Sequence, residues 1–153
     1  MEQGLPASWR VIPRAAVAAG VERGETFLVR WGEEVVATFA VEWADVEVWS
    51  DTGTEGAAYL HRLAVLPACH GRGIGGALVD WSQRRAAERG RSLLRLDAVA
   101  TNTRLCQWYA RLGFAQRGEV TLPGWTRPSM RFERTSLHSR PNEKRRTTAV
   151  ASP

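Results

Sequence analysis

The chain has 153 residues, 44% hydrophobic and 24% charged, which is typical of one globular domain. No run of 18 apolar residues occurs, so the sequence predicts neither a membrane-spanning helix nor a membrane partner. The formal net charge is +5, but five basic residues and one acidic residue lie from Arg134 onward, so the rest of the chain carries only +1. A basic nucleic-acid-binding face on the folded domain is therefore not expected.

The hydrophobic pattern changes between strand and helix periods along the chain. One strand–helix–strand crossover predicts a parallel strand pair, and the remaining neighbours read as antiparallel hairpins. We therefore expect an α/β fold with a mixed, mostly antiparallel twisted sheet and helices on both faces. The expected elements are a helix at Pro13–Val21, strands at Thr26–Trp31, Glu34–Trp43 and Ala58–Val65, a glycine-rich turn at Gly71–Gly76, a helix ending near Arg89, a strand at Ser92–Ala98, a helix after Asn102, and strands at Ala115–Val120 and Pro128–Glu133.

The predicted domain covers residues 1–134. Residues 135–153 are polar, basic and nearly free of large apolar side chains, so this segment is expected to be a disordered tail. The two cysteines, Cys69 and Cys106, form no C-x-x-C pair and no metal-ligand spacing with the histidines. The sequence therefore predicts free thiols, no bound metal and a reducing, cytoplasmic location.

The glycine-rich turn joins a predicted strand to a predicted helix. Four of the six residues from Gly71 to Gly76 are glycine, so successive backbone N–H groups can converge without side chains between them. The helix N-terminus adds free donors and a partial positive charge. Together these features predict a site for a phosphate or diphosphate, to which Arg72 can add a guanidinium.

Two other phosphate-binding motifs are alternatives for this turn. The spacing Gly71-x-Gly73-x-x-Gly76, with Asp97 about 20 residues on, formally matches the dinucleotide-binding fingerprint. Here, however, five residues including Pro67 separate strand and glycines, and no second βαβ half follows. The G-x-x-x-x-G-K-[ST] phosphate loop is absent.

The segment Leu63-Ala64-Val65, followed after five residues by Gly71-Arg72-Gly73-Ile74-Gly75-Gly76, resembles the signature of the GNAT superfamily of N-acetyltransferases. That signature is usually Arg/Gln-x-x-Gly-x-Gly/Ala, and His70 stands here in the Arg/Gln place. The similarity continues to Asn102 and to Tyr109-Ala110-Arg111-Leu112-Gly113-Phe114, and it covers about Thr26 to Glu133.

This resemblance implies that acetyl-CoA is the co-substrate and that its acetyl group passes to an amine. It implies that backbone groups of Leu63 and Val65 pair with the pantetheine arm, in a gap between the strands at Ala58–Val65 and Ser92–Ala98. It also implies that Asn102 and Tyr109 lie near the thioester end. The residues implied in cofactor binding are Leu63, Ala64, Val65, His70, Gly71, Arg72, Gly73, Ile74, Gly75, Gly76, Asn102 and Tyr109.

Direct acyl transfer from a thioester needs no covalent enzyme intermediate, in agreement with the absence of a G-x-S-x-G motif. Tyr109 is the candidate general acid, although it shares a helix face with core leucines. The candidate bases are Asp97 and His61, with Glu42 or a water chain as further alternatives. Cys106 has no activating partner nearby in sequence and is not expected to be a nucleophile.

The segment Glu42–Glu55 contains five acidic residues and no lysine or arginine. It is interpreted either as a solvated loop with core tryptophans or as a wall of the acceptor site, where Trp43 or Trp49 would stack on a cationic amine. The acceptor itself, a small molecule or a peptide amine, cannot be named from the sequence.

Family members usually begin with a strand and a long helix before the first helix of this chain. The sequence therefore predicts that this first strand is missing and that Thr26–Trp31 is an unpaired edge. Three alternatives stay open: a partner chain, as in a homodimer, covers the edge, the chain is a shortened copy, or its assigned start is too late. Because of this departure and of His70, a non-catalytic acyl-CoA-binding or regulatory module is the alternative to an acyltransferase.

Overall fold

The computed structural model describes residues 12–136 as three helices and six strands. A 3₁₀ turn at Pro67–Cys69 separates the third strand from the second helix. The elements are α1 (Arg14–Glu22), β1 (Thr26–Trp31), β2 (Glu34–Glu42), β3 (Ala57–Val65), α2 (Ile74–Glu88), β4 (Leu93–Val99), α3 (Thr103–Arg111), β5 (Ala115–Val120) and β6 (Ser129–Thr135).

The six strands form one sheet in the order β1-β2-β3-β4-β6-β5. Only β3 and β4, which α2 connects, are parallel, and the other four pairs are antiparallel. The predicted mixed, mostly antiparallel sheet with one crossover is confirmed. One feature differs from simple chain order, since β6 lies between β4 and β5.

Helices cover both faces of the sheet, as the sequence predicts. On one face, Leu78 and Trp81 of α2 pack with Trp108 of α3 against the larger core cluster. On the other face, a Cβ atom on Gly20 of α1 would lie 3.0 Å from Oγ1 of Thr26. Thr26 pairs with Ala40, so their side chains lie on the same face of the sheet. The neighbours of Ala40, Phe39 and Val41, point into the larger core on the face covered by α2. Because side chains alternate along a strand, α1 lies on the opposite face from α2.

One predicted detail needs correction. The sequence places Ile74, Leu78 and Trp81 on the inner face of α2, but the fully buried positions are Val79, Ser82 and Ala86. The buried stripe is therefore rotated by one position, and Leu78 and Trp81 flank it.

Both ends of the predicted domain lie partly outside the description. β6 extends to Thr135, and the N–H of Ser136 donates to the carbonyl of Ser92 at 2.7 Å, so ordered structure passes residue 134. The rest of the predicted tail, and residues 1–11, lie outside the described residues. Within residues 12–136, β1 is an edge strand, as predicted. No helix in this part of the chain has the length and apolarity to cross a membrane.

The core offers a direct test of the fold. Leu94 is fully buried in the larger cluster, so Leu94→Ala leaves a cavity and is expected to lower the free energy of unfolding by about 2–5 kcal/mol. Leu28, in β1, is 62% exposed and serves as the control, with an expected change below about 0.5 kcal/mol for Leu28→Ala. Urea unfolding measures both, and equal effects would contradict the packing described.

Candidate active site

A gap opens in the middle of the sheet between its two parallel strands. β3 and β4 pair over only three positions, the last of them Tyr59 with Arg95, although β3 continues to Val65 and β4 to Val99. Continuing the register by two residues on each strand places His61 opposite Asp97, just beyond the last pair. Two of the predicted catalytic residues are therefore brought to the point where the strands separate.

A bulge on the other side of β3 helps to set this geometry. Thr38 pairs with Ala64 and Ala40 with His61, so Phe39 opposes two residues of β3. One of them, Arg62, has φ of 53°, in the left-handed region that non-glycine residues seldom adopt. An ion pair with Glu42 of β2 holds the Arg62 side chain. The sequence contained no signal for this bulge.

Three acidic side chains surround the His61 ring. Its Nε2 lies 3.2 Å from Oδ2 of Asp45 and 3.8 Å from Oε2 of Glu42. Asp45 belongs to the loop between β2 and β3, where its Oδ1 accepts a hydrogen bond from the N–H of Val48 at 3.1 Å. A carboxylate can only accept a hydrogen bond, so in the neutral ring Nε2 carries the proton and donates to Asp45. Nδ1 of the neutral ring can then accept a proton.

This environment changes the pKa of both partners. Burial by itself would lower the pKa of His61, but the hydrogen bond to Asp45 and the charges of Glu42, Asp45 and Asp97 outweigh burial and raise that pKa above its ordinary value. Burial would raise the pKa of Asp45, yet its bonds to His61 and to the loop backbone lower it. Both shifts favour proton uptake by the His61 ring beside an ionised Asp45 carboxylate.

Asp97 lies in a more apolar position than Asp45. Burial raises the pKa of Asp97, the negative charge of Asp45 adds to that shift, and a hydrogen bond with Ser129 only partly opposes it. Asp97 in turn acts on Tyr109 of α3. Burial and then the charge of Asp97 raise the pKa of the Tyr109 phenol, so it keeps its proton throughout the neutral range.

Tyr109 belongs at once to the core and to the edge of the site. Its side chain is 7% exposed and packs with Phe114 and Phe132. Among residues 12–136, its hydroxyl makes no hydrogen bond with another side chain. The ring of Tyr109 is therefore part of the core, while a catalytic role of its hydroxyl stays a prediction.

The glycine-rich turn leads from the end of β3 to the start of α2. Gly71 and Gly73 have φ of 77° and 75°, and a Cβ atom on either would meet nothing within 4 Å. Gly73 occupies the N-cap position and provides no side-chain cap, so the first amides of α2 have no partner there. Arg72 forms no ion pair or hydrogen bond within the described chain. This turn fits an anion.

The other two glycines of the motif have a packing role. A Cβ atom on Gly75 would lie 3.1 Å from the ring of Trp108, and one on Gly76 would lie 3.7 Å from Leu112. Small residues at these positions allow α3 to lie close against the first turn of α2. Gly75 and Gly76 therefore permit close packing between α2, which follows the glycine-rich turn, and α3, which carries Tyr109.

The end of β3 presents backbone groups to the gap. The N–H of Leu66 donates to the carbonyl of Val36. In an antiparallel ladder, the adjacent pair Val65–Ala37 is therefore a non-hydrogen-bonded pair. Val65 thus directs its own N–H and C=O away from β2. Ala64, one residue earlier, faces β2, and Leu63 is one of the two residues that oppose Phe39 in the bulge. In this structure Nε2 of His70 lies 2.9 Å from the Val65 carbonyl oxygen.

The remaining predicted residues have structural partners as well. The side chain of Asn102 accepts a hydrogen bond from the N–H of Leu105 at 3.1 Å and caps α3, as the sequence predicts, which leaves its NH₂ group available. Cys106 is buried, and burial raises the pKa of its thiol, so it is a poor nucleophile. Cys69 and Cys106 are both free thiols, as expected.

The acidic segment contributes to the site differently from the prediction. Trp49 is 1% exposed and belongs to a second core cluster, so stacking of Trp49 on a substrate is ruled out. The guanidinium of Arg89 lies 4.8 Å from the centre of the Trp43 ring. Two residues of this segment, Glu42 and Asp45, reach His61, and sequence spacing offered no sign of the contact with Asp45.

Asp45, His61 and Asp97 place one ligand atom each within 4.8 Å of one another. One imidazole and two carboxylates are a set that a divalent cation can take. The same three side chains can also exchange protons, and the choice between these uses depends on the surrounding gap and turn.

Comparison with known proteins decides the family. Residues 5–114 match the sequence profile of the acetyltransferase (GNAT) family. The chain belongs to this family. The resemblance found in the glycine-rich turn is thereby confirmed. The turn, the gap between β3 and β4 and the cap residue Asn102 of this GNAT protein all lie in the matched region.

Individual relatives agree with the assignment. The N-acetyltransferase YesJ of Bacillus subtilis (strain 168) is 32% identical over 107 residues, which cover 67% of this GNAT chain and 59% of YesJ. A GNAT-family acetyltransferase from Listeria monocytogenes superposes with a TM-score of 0.70 at 21% identity, covering 82% of this chain and 72% of that one. A Bacillus subtilis acetyltransferase solved with CoA gives 0.64 at 16% identity, covering 82% and 85%. The two structural likenesses establish the fold.

Proposed function

We propose that this GNAT protein is an enzyme that transfers the acetyl group of acetyl-CoA directly to a primary amine in a ternary complex. The observation that carries the proposal is the gap between β3 and β4, with His61 and Asp97 on its two sides and an uncapped glycine turn at its end. Family membership supports acetyl-CoA as the co-substrate, as does the neighbour solved with CoA.

The residues present fit a bound acetyl-CoA. The open N-terminus of α2 would hold the diphosphate through its backbone amides, and Arg72 would add charge. The backbone of Val65 faces the gap and, together with that of Leu63, would pair with the pantetheine amides like an added strand. The carbonyl of Val65 would first have to exchange its His70 partner. The NH₂ group of Asn102 would donate to the cofactor near its thioester.

The proposed reaction uses one acid and one base. Nδ1 of His61 accepts a proton from the ammonium form of the acceptor, and the neutral amine nitrogen then attacks the thioester carbonyl carbon. The C–N bond forms, the nitrogen loses its second proton to solvent, and the C–S bond breaks. The departing thiolate takes the proton of the Tyr109 hydroxyl, which solvent later replaces. Because a thiolate is a fair leaving group, the reaction requires no metal and no acyl-enzyme.

The charge around His61 favours a cationic acceptor. Asp45 and Asp97 carry carboxyl groups, and within residues 12–136 the one arginine paired with the group, Arg62, contacts Glu42. An ammonium ion would therefore be attracted to this end of the gap and deprotonated there. The acceptor class that fits best is a primary amine that is positively charged in solution.

Release of free thiol from acetyl-CoA, measured with a panel of amines, tests this function. We expect release to depend on a cationic primary amine and to be weak with anionic amino acids. Calorimetry with CoA runs in parallel. Binding of CoA without thiol release for any amine would favour the non-catalytic acyl-CoA module, and absence of CoA binding would overturn both.

Tyr109→Phe separates catalysis from binding. Removal of the hydroxyl leaves the ring packing against Phe114 and Phe132, so the fold is expected to persist. The turnover number should fall about 100-fold, since one positioned general acid contributes roughly 10²–10⁴-fold. The dissociation constant of CoA should stay within about twofold. Unchanged turnover would remove Tyr109 from the mechanism.

A further inference from the structure

Two arginines enclose the buried indole of Trp49 on the face of the sheet opposite α2. The guanidinium carbon of Arg95, in β4, lies 4.7 Å from the centre of the Trp49 ring, and that of Arg131, in β6, lies 5.3 Å from it. The Arg95 side chain is 8% exposed, and that of Arg131 is 12% exposed. Such desolvated cation–π contacts are stronger than exposed ones.

The same arginines also bind the backbone of the loop that carries Trp49. Arg95 donates from Nη1 to the carbonyl of Gly53 at 2.9 Å and to Oγ1 of Thr52 at 3.2 Å. Arg131 contacts the carboxylate of Asp51 and the carbonyl of Val48. The loop is therefore fastened to β4 and β6 both through its ring and through its polar groups.

Asp45 opens the turn that contains Trp49. The N–H of Trp49 donates to the Asp45 carbonyl at 3.3 Å, and the N–H of Val48 donates to Oδ1 of Asp45. With Oδ1 occupied in this way, Oδ2 is directed at His61. The position of the Asp45 carboxylate thus depends on where Trp49 is seated, four residues further on.

We propose that Arg95 and Arg131 are positioning residues, which clamp Trp49 and thereby hold the Asp45 carboxylate against the His61 ring. They act through the loop and do not touch the reacting atoms. The clamp lies two residues from the site on both strands, since Arg95 precedes Asp97 and Arg131 follows Ser129. The inference rests on the proposed function only in giving His61 a catalytic task.

NMR titration of the His61 ring tests the clamp without any turnover. The charged groups around that ring are Glu42 of β2, Asp45 of the loop, Asp97 of β4 and Arg62 of β3. Asp45→Asn should lower the measured pKa of His61, because it removes the hydrogen-bonded anion. Arg131→Met, which keeps length but loses the guanidinium, should give about half of that fall.

Arg117→Met is the matched control. Arg117 lines the same surface hollow as Arg131 and pairs with Glu133, but its guanidinium has no contact with Trp49 among the described residues. It should leave the His61 titration unchanged. In an Asp45→Asn background, Arg131→Met should have no further effect on that titration, because the residue through which it acts is gone.

Several results would overturn the proposal. These are an unchanged His61 pKa in Arg131→Met, an equal shift in Arg117→Met, or an equal shift in the Asp45→Asn background. If Arg131→Met does not fold, Arg131→Lys replaces it, because lysine keeps the charge but lacks the planar guanidinium. The same fall in the pKa of His61 is expected for Arg131→Lys. Thiol-release assays on the same variants separate the clamp from the proposed acetyltransferase function. If the His61 titrations follow the expectations but no variant, nor the wild type, releases thiol, only the proposed function is overturned.

Discussion

Binding of CoA is expected to weaken about 100-fold when Gly73 is replaced by aspartate. Gly73 has φ of 75° and leads directly into the uncapped amides of α2. Aspartate tolerates that backbone conformation better than most residues do, and a Cβ atom there would meet nothing, so the fold should survive. The new carboxylate would occupy the N-terminus of α2 and repel a diphosphate.

The magnitude follows from electrostatics. Two like charges 4 Å apart near a protein surface interact by about 4 kcal/mol, and salt screening at an exposed turn reduces this to roughly 2–3 kcal/mol. Every 1.4 kcal/mol is about tenfold in the dissociation constant, so a loss of about 100-fold results.

Gly73→Asn is the control for this variant because it adds a side chain of the same size without charge. Calorimetry with CoA at two salt concentrations should show a small loss for asparagine and a large, salt-dependent loss for aspartate. Equal losses would mean that size alone matters at this position. Unchanged affinity in both variants would place the diphosphate elsewhere.

Replacement of His61 by glutamine is expected to lower the turnover number by about 10²–10³-fold, because it removes the proposed proton acceptor. Glutamine can still hydrogen-bond to Asp45 but cannot take up a proton near neutral pH. The Michaelis constant for acetyl-CoA should change little, since the glycine turn lies outside this cluster. Steady-state kinetics with separate variation of acetyl-CoA and amine distinguishes the two effects.

The pH dependence gives a sharper test of the same residue. The pKa of His61 is raised above its ordinary value near 6.5, so at lower pH the ring is protonated and cannot act as a base. In the wild type, kcat/KM for the amine should therefore rise with pH through an apparent pKa above about 6.5. The acceptor is chosen so that its own amine ionises outside that range.

In His61→Gln this rise should be absent and the residual rate flat. Asp45→Asn should move it to lower pH, since loss of the carboxylate favours the neutral ring. A wild-type profile that persists in His61→Gln would assign the proton transfer to Asp97, whose pKa is also raised, or to a water chain.

Local patterns predicted the elements well because each depends on neighbours in sequence. The limits of β1 and β5 agree with the expected ones, and Asn102 caps α3 as its residue type suggested. The glycine turn was recognised for the same reason, since strand, glycines and helix follow one another along the chain. The position of the gap was implied by the family resemblance.

Contacts between distant segments were beyond such patterns. Nothing in the sequence places Asp45 against His61, or directs Arg95 and Arg131 onto Trp49. The sequence allowed Trp49 to stack on a substrate, because an acidic loop alone does not reveal which of its side chains are buried in the core. The bulge at Arg62 depends on an offset between two strands, which sequence spacing does not record.

The sequence by itself determined the order of elements, the position of the glycine-rich turn and the family, because these depend on periodicity, on glycine and on residues close together in the chain. Only the tertiary structure decided which side chains meet in the gap. Strand register, the rotation of α2 and the seating of the Trp49 loop depend on packing among segments far apart in sequence. For that reason the glycine-rich turn between β3 and α2 could be predicted from the sequence, whereas the surroundings of His61 could not.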